Sequence, residues 1–247
     1  MDTQFDIQAI SFDFTPDDAA YKTILAFRNK QLEQLFNQPT LIERPKGIAS
    51  RTYRHSMRVA QDVHDFVRFV GLSNQVANNL KFATELHDIG KMDVPLDILD
   101  KPGKLSDEEF TQIKNHTNHG AKRIEGSGID HPLIKLASEI AMYHHEQPDG
   151  KGYHGLTGHD IPTRVRLVQV CDVYDAVSAK RPYRTSGQQL TPAKVLKNMI
   201  DPEGFLSNQV DQEIAQMFVQ MKLHLMDTGL SHEEAEELSE FLKTVKG

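Results

Sequence analysis

Histidine is the residue type that suggests chemistry in this sequence. The chain contains 12 histidines, and ten of them lie between His55 and His159. Imidazole nitrogens act as general acids or bases and as ligands for transition metals. The chain has one cysteine, which excludes a disulfide framework and a thiolate zinc site. The position of each histidine on its helix decides what it can do.

Several polar residues occupy positions that should face a helical core. His144 and His145 each follow an apolar residue by four positions, so both project from the inner side of a predicted helix. Asp172 shares the apolar stripe of Val165 and Val168. A buried carboxylate is costly unless a cation or strong hydrogen-bond donors compensate it. The pattern therefore predicts a bound cation.

The same argument extends to His55, His116 and the adjacent pair His87 and Asp88, each near an inward position of a different predicted helix. Any one of them could be a hydrogen-bonded core histidine, but the set favours a divalent metal. Imidazole with carboxylate suits iron, manganese, zinc or nickel better than calcium or magnesium. The predicted metal ligands are His55, His87, Asp88, His116, His144, His145 and Asp172.

The elements that must position these residues read as α-helices. From residue 51 onward, apolar residues recur every three or four positions. One predicted helix ends near Gly71, and the next ends near Gly90 with His87 and Asp88 in its last turn. Ser106 opens a capping box for a third helix that extends past residue 124, with Phe110 on its apolar side. Further helices begin near residues 132, 163, 191 and 231.

The first 50 residues are predicted to form an N-terminal extension and linker. Residues 7–14 are a weak strand candidate, and Thr15 and Pro16 suggest the start of a helix that ends near Phe36. The extension could be a dimerisation element, a lid or packing for the bundle. Residues 51–247 are predicted to be the catalytic domain with its C-terminal helices.

Composition narrows the functional classes. The net charge is −7, from 28 basic and 35 acidic residues, which argues against binding a nucleic-acid polymer through bulk charge. No apolar run is long enough for a membrane span, and the first residues lack the basic and apolar segments of a signal peptide. We expect a cytoplasmic protein.

Several sequence blocks resemble a known family. ELHDIGK (85–91) is similar to the HD superfamily of metal-dependent phosphohydrolases. HHEQPDGKGYH (144–154) and DVYDAVSAKRPYR (172–184) resemble, more narrowly, the HD-GYP domain, a family of cyclic di-GMP phosphodiesterases. The resemblance spans about residues 51–220. It implies an all-α, HD-type helical bundle with a small N-terminal extension, and an enzyme that hydrolyses cyclic di-GMP.

The resemblance also implies a division of the ligands between two metal ions. Asp88 would bridge the ions, and a bridging water or hydroxide would be the nucleophile. Iron is the metal that the resemblance favours, with manganese as the alternative. The first ion would be held by His55, His87, Asp88 and Asp172, and the second by Asp88, His116, His144 and His145.

Residues for the substrate follow from the same resemblance. Lys91 would meet the scissile phosphate and, with Asp88, is the predicted catalytic residue. Arginine side chains suit phosphates and guanine bases because both accept two parallel hydrogen bonds. Asp175 would brace a neighbouring ligand or helix. The predicted substrate-binding residues are Lys91, Arg181, Arg184, Asp149, Gly152 and Tyr153.

Three positions depart from the family pattern. The GYP sequence reads Gly152-Tyr153-His154, and the His-Pro pair reads His116-Thr117. His154 is otherwise predicted to be a solvated loop residue. Arg51 stands where some family members have a glutamate that helps to hold a third metal. A cation there opposes a third ion, so we expect two ions and the linear dinucleotide pGpG as the main product.

Two alternative functions remain open at this point. The altered loop could leave a receptor or signalling module that binds cyclic di-GMP with little turnover. The chain could also be an HD phosphohydrolase that acts on another nucleotide. For the phosphodiesterase and for the receptor, the expected partner is a cyclic dinucleotide. A second copy of the chain or a signalling protein is a further candidate partner.

Overall fold

The structure of the chain is a computed structural model that describes residues 18–39, 50–179, 190–225 and 229–245. These ranges contain α-helices, turns and short 3₁₀ segments, and no strand. The expected all-α fold is confirmed. The strand candidate at 7–14, and Thr15 and Pro16, lie outside the described residues. No helix in these ranges is both long enough and apolar enough to cross a membrane.

The α-helices are α1 (Asp18–Phe36), α2 (Arg51–Phe69), α3 (Asn74–Thr84), α4 (Leu96–Leu99), α5 (Asp107–Lys114), α6 (His116–Glu125), α7 (Pro132–Tyr143), α8 (Thr163–Ser178), α9 (Pro192–Ile200), α10 (Gln212–His224) and α11 (His232–Val245). The 3₁₀ segments are Ile89–Asp93, Gly158–Asp160 and Ser207–Gln209.

The apolar periodicity becomes a single packed core around α8. Val165 and Val168 of α8 are fully buried, as the nearly continuous apolar sequence of this helix requires. Phe66 of α2 and Phe218 of α10 are also fully buried, and their rings meet edge to face with centroids 5.5 Å apart. Because α8 is central, a polar side chain on it, such as Asp172, lies inside the bundle.

Local capping signals set the start of several helices. The Ser50 hydroxyl accepts a hydrogen bond from the Tyr53 amide and so begins α2. Ser106 and Glu109 form the predicted capping box of α5, with both reciprocal hydrogen bonds present. The Ser50 cap fixes the start of α2, and His55 lies about one turn after it.

Two predicted helices end earlier than the sequence pattern indicates. α3 ends at Thr84, and His87 and Asp88 lie in a turn that leads into the 3₁₀ segment Ile89–Asp93. The backbone there forms short-range bonds, such as His87 N–H to the Thr84 carbonyl at 3.1 Å. The prediction that the second helix continues to Gly90 is therefore wrong.

The predicted third helix is in fact two helices. α5 ends at Lys114 and α6 begins at His116, with Asn115 between them. Phe110 is 44% exposed and not part of the core, so its predicted apolar packing is also wrong. The break lies just before His116, which is fully buried.

Candidate metal centre

The structure brings the seven predicted ligands together from five parts of the chain. His55 comes from α2, Asp172 from α8 and His116 from the first residue of α6, while the other four lie in the turns that follow α3 and α7. Their donor atoms form two groups, each with all donor atoms within 4.8 Å of one another. The groups are Asp88, His116, His144 and His145, and His55, His87 and Asp172.

Asp88 lies between the two groups. Its Oδ1 atom is 3.3 Å from His116 Nε2 and 3.7 Å from His144 Nε2. Its Oδ2 atom is 3.6 Å from His55 Nε2 and 3.5 Å from His87 Nε2. Each carboxylate oxygen therefore faces a different group, which is the geometry that a bridging ligand needs.

Asp172 contacts both groups from the other side. Its Oδ1 atom is 2.9 Å from His55 Nε2 and 4.0 Å from His87 Nε2. Its Oδ2 atom is 3.8 Å from His145 Nδ1. In the group that contains Asp88, His116 Nε2 and His144 Nε2 are 3.3 Å apart. The two nitrogens share one small volume that a single cation could fill.

The outer nitrogens of four imidazoles are held by hydrogen bonds that aim the inner nitrogens at the centre. Each outer Nδ1 donates to a backbone carbonyl or a carboxylate, which turns Nε2 toward the centre. The pairs are His87 Nδ1 with the Thr84 carbonyl at 2.8 Å, His116 Nδ1 with the Ile113 carbonyl at 2.6 Å, His144 Nδ1 with the Ile140 carbonyl at 3.1 Å, and His55 Nδ1 with Asp175 Oδ2 at 2.7 Å.

Burial and charge set the protonation of the centre. Burial lowers the pKa of His87 to about 4 and also lowers the pKa of His116, so both imidazoles are neutral at neutral pH. Burial acts in the same direction on His55, but its hydrogen bonds to Asp172 and Asp175 outweigh burial and raise the pKa of His55 to about 9.

The Asp88 carboxylate stays ionised although it is fully buried. Burial alone would raise its pKa, but the charge of Lys91 holds the pKa of Asp88 well below its usual value. Lys91 Nζ is 2.5 Å from Asp88 Oδ2. An ionised carboxylate beside the neutral imidazoles of His87 and His116 is a donor set that suits a divalent transition metal.

Two buried atoms of the centre lack a hydrogen-bond partner within the described part of the chain. They are His87 Nε2 and Asp88 Oδ1. A buried polar atom left without a partner costs free energy, so it calls for a group that the protein itself does not supply. A cation in each group would satisfy one of these two lone pairs, so the residues present fit a metal.

Two glycines let the backbone of the Asp88 turn touch α6 directly. A Cβ atom on Gly90 would lie 2.0 Å from the His116 carbonyl oxygen and 2.4 Å from the Gly120 nitrogen. No other residue type fits at position 90 without moving one of the two segments. The turn that carries Asp88 and the helix that carries His116 are therefore joined main chain to main chain.

The loop that follows His145 is anchored on a buried carboxylate. Glu146 is 1% exposed, and its two oxygens accept the backbone N–H groups of His154 at 2.7 Å and Leu156 at 2.6 Å. A Cβ on Gly152 would lie 2.5 Å from the Glu146 Cα, so only glycine fits there. The folded loop places the Tyr153 ring 4.6 Å from the His145 ring.

The two departures in this region contact each other. The Thr117 hydroxyl lies 3.2 Å from His154 Nε2 and donates its own proton to the Lys114 carbonyl at 3.0 Å. The hydroxyl must therefore accept from the Nε2–H of His154. His154 also packs edge to face on Tyr143, with centroids 5.5 Å apart. His154 is exposed in its loop, as predicted, and these contacts also attach the loop to α6 and α7.

The predicted substrate-binding residues are distributed unevenly. Lys91 and Tyr153 lie at the metal centre, as described above. Asp149 forms hydrogen bonds within its own loop, to the Lys151 backbone at 3.1 Å and the Lys151 ammonium at 2.7 Å. Arg181 and Arg184 lie outside the described residues.

Sequence reasoning missed the supporting residues Glu146 and Arg58. Arg58 donates to Asp175 through Nε at 2.6 Å and Nη2 at 2.9 Å, and so fixes the carboxylate that holds His55. Arg58 lies three residues after His55, a spacing that places both on one side of α2. Glu146 directly follows the histidine pair, but its partners are backbone groups that carry no sequence signature.

A family model described as HD domain matches residues 46–204, more than half of the chain. The chain belongs to the HD domain family. All seven residues of the metal centre fall within the matched segment. Helix α1 of this HD protein precedes it.

Relatives of this HD protein are named as cyclic dinucleotide phosphodiesterases. The cyclic di-GMP phosphodiesterase of Thermotoga maritima is 33% identical over 177 residues, which cover 71% of this chain and 46% of that protein. The 3'3'-cGAMP-specific phosphodiesterase 2 of Vibrio cholerae is 36% identical over 158 residues, covering 64% of this chain and 29% of that protein. The chain spans less than half the length of these relatives.

A solved structure shares the fold of this HD protein. It is an HDG"Y"P protein from Bdellovibrio bacteriovorus, with a TM-score of 0.54 and 18% sequence identity over 85% of this chain and 74% of that one. At this identity the likeness concerns the fold alone. It agrees with the all-α HD-type bundle expected from the sequence.

Proposed function

We propose that this HD protein is a metal-dependent phosphodiesterase that hydrolyses cyclic di-GMP, mainly to linear pGpG. The observation that carries the proposal is the position of Asp88, whose two oxygens face two separate groups of imidazoles while Lys91 lies beside it. The names of the relatives support the substrate class.

The metal centre would be dinuclear. His55, His87 and Asp172 would hold one ion, His116, His144 and His145 would hold the other, and Asp88 would bridge them. Two divalent cations there would lower the pKa of a bound water, align it with the phosphorus and neutralise charge on the phosphoryl oxygens. The nitrogen and oxygen donor set supports iron, with manganese as the alternative.

The protein's own groups would position the phosphate and its leaving group. The Lys91 ammonium would pair with a non-bridging oxygen of the scissile phosphate, where negative charge grows in the transition state. Asp88 keeps that ammonium near the ions in the absence of substrate. Tyr153, packed on His145, forms a wall of the site against which the nucleotide would lie.

The surroundings of Arg51 support two ions over three. Arg51 Nη2 lies 2.9 Å from Asp100 Oδ1, so the side chain takes part in an ion pair one turn before His55. A guanidinium cannot ligate a metal and repels one nearby. With two ions we expect one hydrolytic cut and pGpG as the main product.

A second substrate is favoured by one observation. A relative that covers 64% of this chain is named as specific for 3'3'-cGAMP. The bases of cyclic di-GMP and 3'3'-cGAMP differ, whereas the phosphodiester linkages to be cleaved are alike. The metal centre therefore cannot distinguish the two, and 3'3'-cGAMP is the second candidate.

The test is a substrate panel. Purified protein loaded with Fe²⁺ or Mn²⁺ is incubated with cyclic di-GMP, 3'3'-cGAMP and mononucleotides, and the products are separated by chromatography. We expect pGpG from cyclic di-GMP, and loss of both metal and product in Asp88→Ala. Binding of cyclic di-GMP without any product would instead support a receptor, and hydrolysis of mononucleotides alone would support a different HD phosphohydrolase.

A further inference from the structure

Helix α1 lies outside the family match, yet it reaches the turn that carries the centre. Gln38, just after α1, donates from Nε2 to the backbone carbonyl of Lys91 at 2.9 Å. Gln38 is 5% exposed, so this hydrogen bond is shielded from water. It joins a residue before the HD segment to the main chain of the lysine proposed to meet the phosphate.

A second contact lies at the N-terminal end of the same turn. Arg28 of α1 pairs with Glu85, with Nε 2.5 Å from Oε2. Glu85 is 3% exposed and is the first residue after α3, two positions before His87. A buried carboxylate requires a partner, and Arg28 supplies it. The two contacts therefore flank His87 and Asp88, at positions 85 and 91.

Helix α1 is in turn fixed to the start of α2, which carries His55. The Ser50 backbone N–H donates to the Phe36 carbonyl at 3.0 Å, and the Ser50 hydroxyl donates to the Leu35 carbonyl at 2.5 Å. The Phe36 and Tyr53 rings meet edge to face with centroids 5.3 Å apart. One helix thus links the chain segments that carry His55 and Lys91.

We propose that Gln38 and Arg28 are positioning residues, and that α1 holds the 85–91 turn so that Lys91 meets the substrate phosphate. Lysine has a flexible four-carbon side chain, so the position of its ammonium depends on how well its main chain is fixed. The part of this proposal that concerns turnover rests on the proposed function. A helix that contributed stability alone would leave the turn's position unchanged when either contact is removed.

The first test compares Gln38→Met with Gln34→Met. Methionine keeps the shape of the buried Gln38 side chain without its donor, and Gln34 is an exposed glutamine near the end of α1. A misplacement of 1 Å at the reacting centre can cost about 100-fold in rate. We expect the loss of this one hydrogen bond to displace Lys91 by less than that, so kcat should fall about tenfold in Gln38→Met. We expect an unchanged KM and metal content, and no change in Gln34→Met.

The second test uses the Arg28 contact and covers the case in which Gln38→Met does not fold. Arg28→Gln should lower kcat, Arg28→Lys should restore part of it, and Lys30→Gln, an exposed cation of the same helix, should have no effect. In a Lys91→Ala background, Gln38→Met should lower kcat no further, because the group that it positions is gone.

Hydrogen exchange gives a readout that does not depend on turnover. Peptides covering residues 85–94 should exchange faster in Gln38→Met and in Arg28→Gln, while peptides from α7 stay unchanged. A lower unfolding temperature with unchanged kcat and unchanged exchange would overturn the proposal. If the wild type hydrolyses no nucleotide, the proposed function fails, and the exchange comparison still decides whether α1 positions the turn.

Discussion

Asp175 allows a quantitative prediction about the metal centre. Its carboxylate accepts three hydrogen bonds, one from His55 Nδ1 at 2.7 Å and two from Arg58 at 2.6 and 2.9 Å. Asp175→Ala removes both oxygens, so no acceptor is left for either donor. His55 would then lose the bond that turns its Nε2 toward the centre.

The expected magnitude follows from what is lost. Removing the outer hydrogen-bond partner of a metal-ligating histidine typically costs 10- to 100-fold in metal affinity. Half of the Arg58 side chain is exposed, so water screens its part of the interaction. The loss of the His55 bond then dominates, and we expect the lower part of that range, about 10- to 30-fold, or roughly 1.4–2.0 kcal/mol.

The assay is competition for Mn²⁺ with a coloured chelator, which should resolve two binding steps in the wild type. Asp175→Ala should weaken the step that involves His55 and leave the step that involves His116 and His144 unchanged. Asp97→Ala, at an exposed aspartate of α4, is the matched control. Equal weakening of both steps, or no weakening, would refute the reasoning.

Removing divalent metal with a chelator should lower the thermal unfolding temperature, because binding at 100 times Kd adds about 2.7 kcal/mol to the native state. An unfolding temperature that does not respond to added Mn²⁺ would contradict the fit of a cation. Thr117→Val and His154→Phe should each destabilise the chain in urea titrations, and should couple by about 0.5–1 kcal/mol in the double variant if the hydrogen bond exists. Strictly additive effects would show that it does not form. Burial outweighs the attraction of Lys222 and raises the pKa of Asp62, so the native state holds this proton more tightly than the unfolded chain does. The unfolding free energy of the wild type should therefore fall relative to Asp62→Asn as pH rises above the ordinary value of 3.8, and parallel pH curves would contradict this.

Much of the fold could be predicted because apolar periodicity reports which helix faces are buried. The spans of α2, α7 and α8 follow from it, and the capping box at Ser106 follows from its own residues. The candidate ligands were visible for the opposite reason. A polar residue such as Asp172 on an apolar stripe breaks the pattern, and the break marks a place where burial must be compensated.

The parts that sequence reasoning missed depend on the main chain or on distant residues. The apolar spacing continues from Leu80 to Leu86 although α3 ends at Thr84, so periodicity alone could not locate the turn. Glu146 is satisfied by backbone N–H groups eight and ten residues later. Gln38 meets a carbonyl 53 residues away. Such contacts exist only once the chain has folded.

The contact of Gly90 with the backbone of α6 has a consequence for which metals the centre accepts. With no side chain between the two segments, close packing holds the turn that carries Asp88 at a nearly fixed distance from the helix that carries His116. Ions of different radius must then be accommodated by small rotations of imidazole rings. Selection among metals in this protein would follow ionic size as well as ligand chemistry, because Gly90 sets the distance between the two segments.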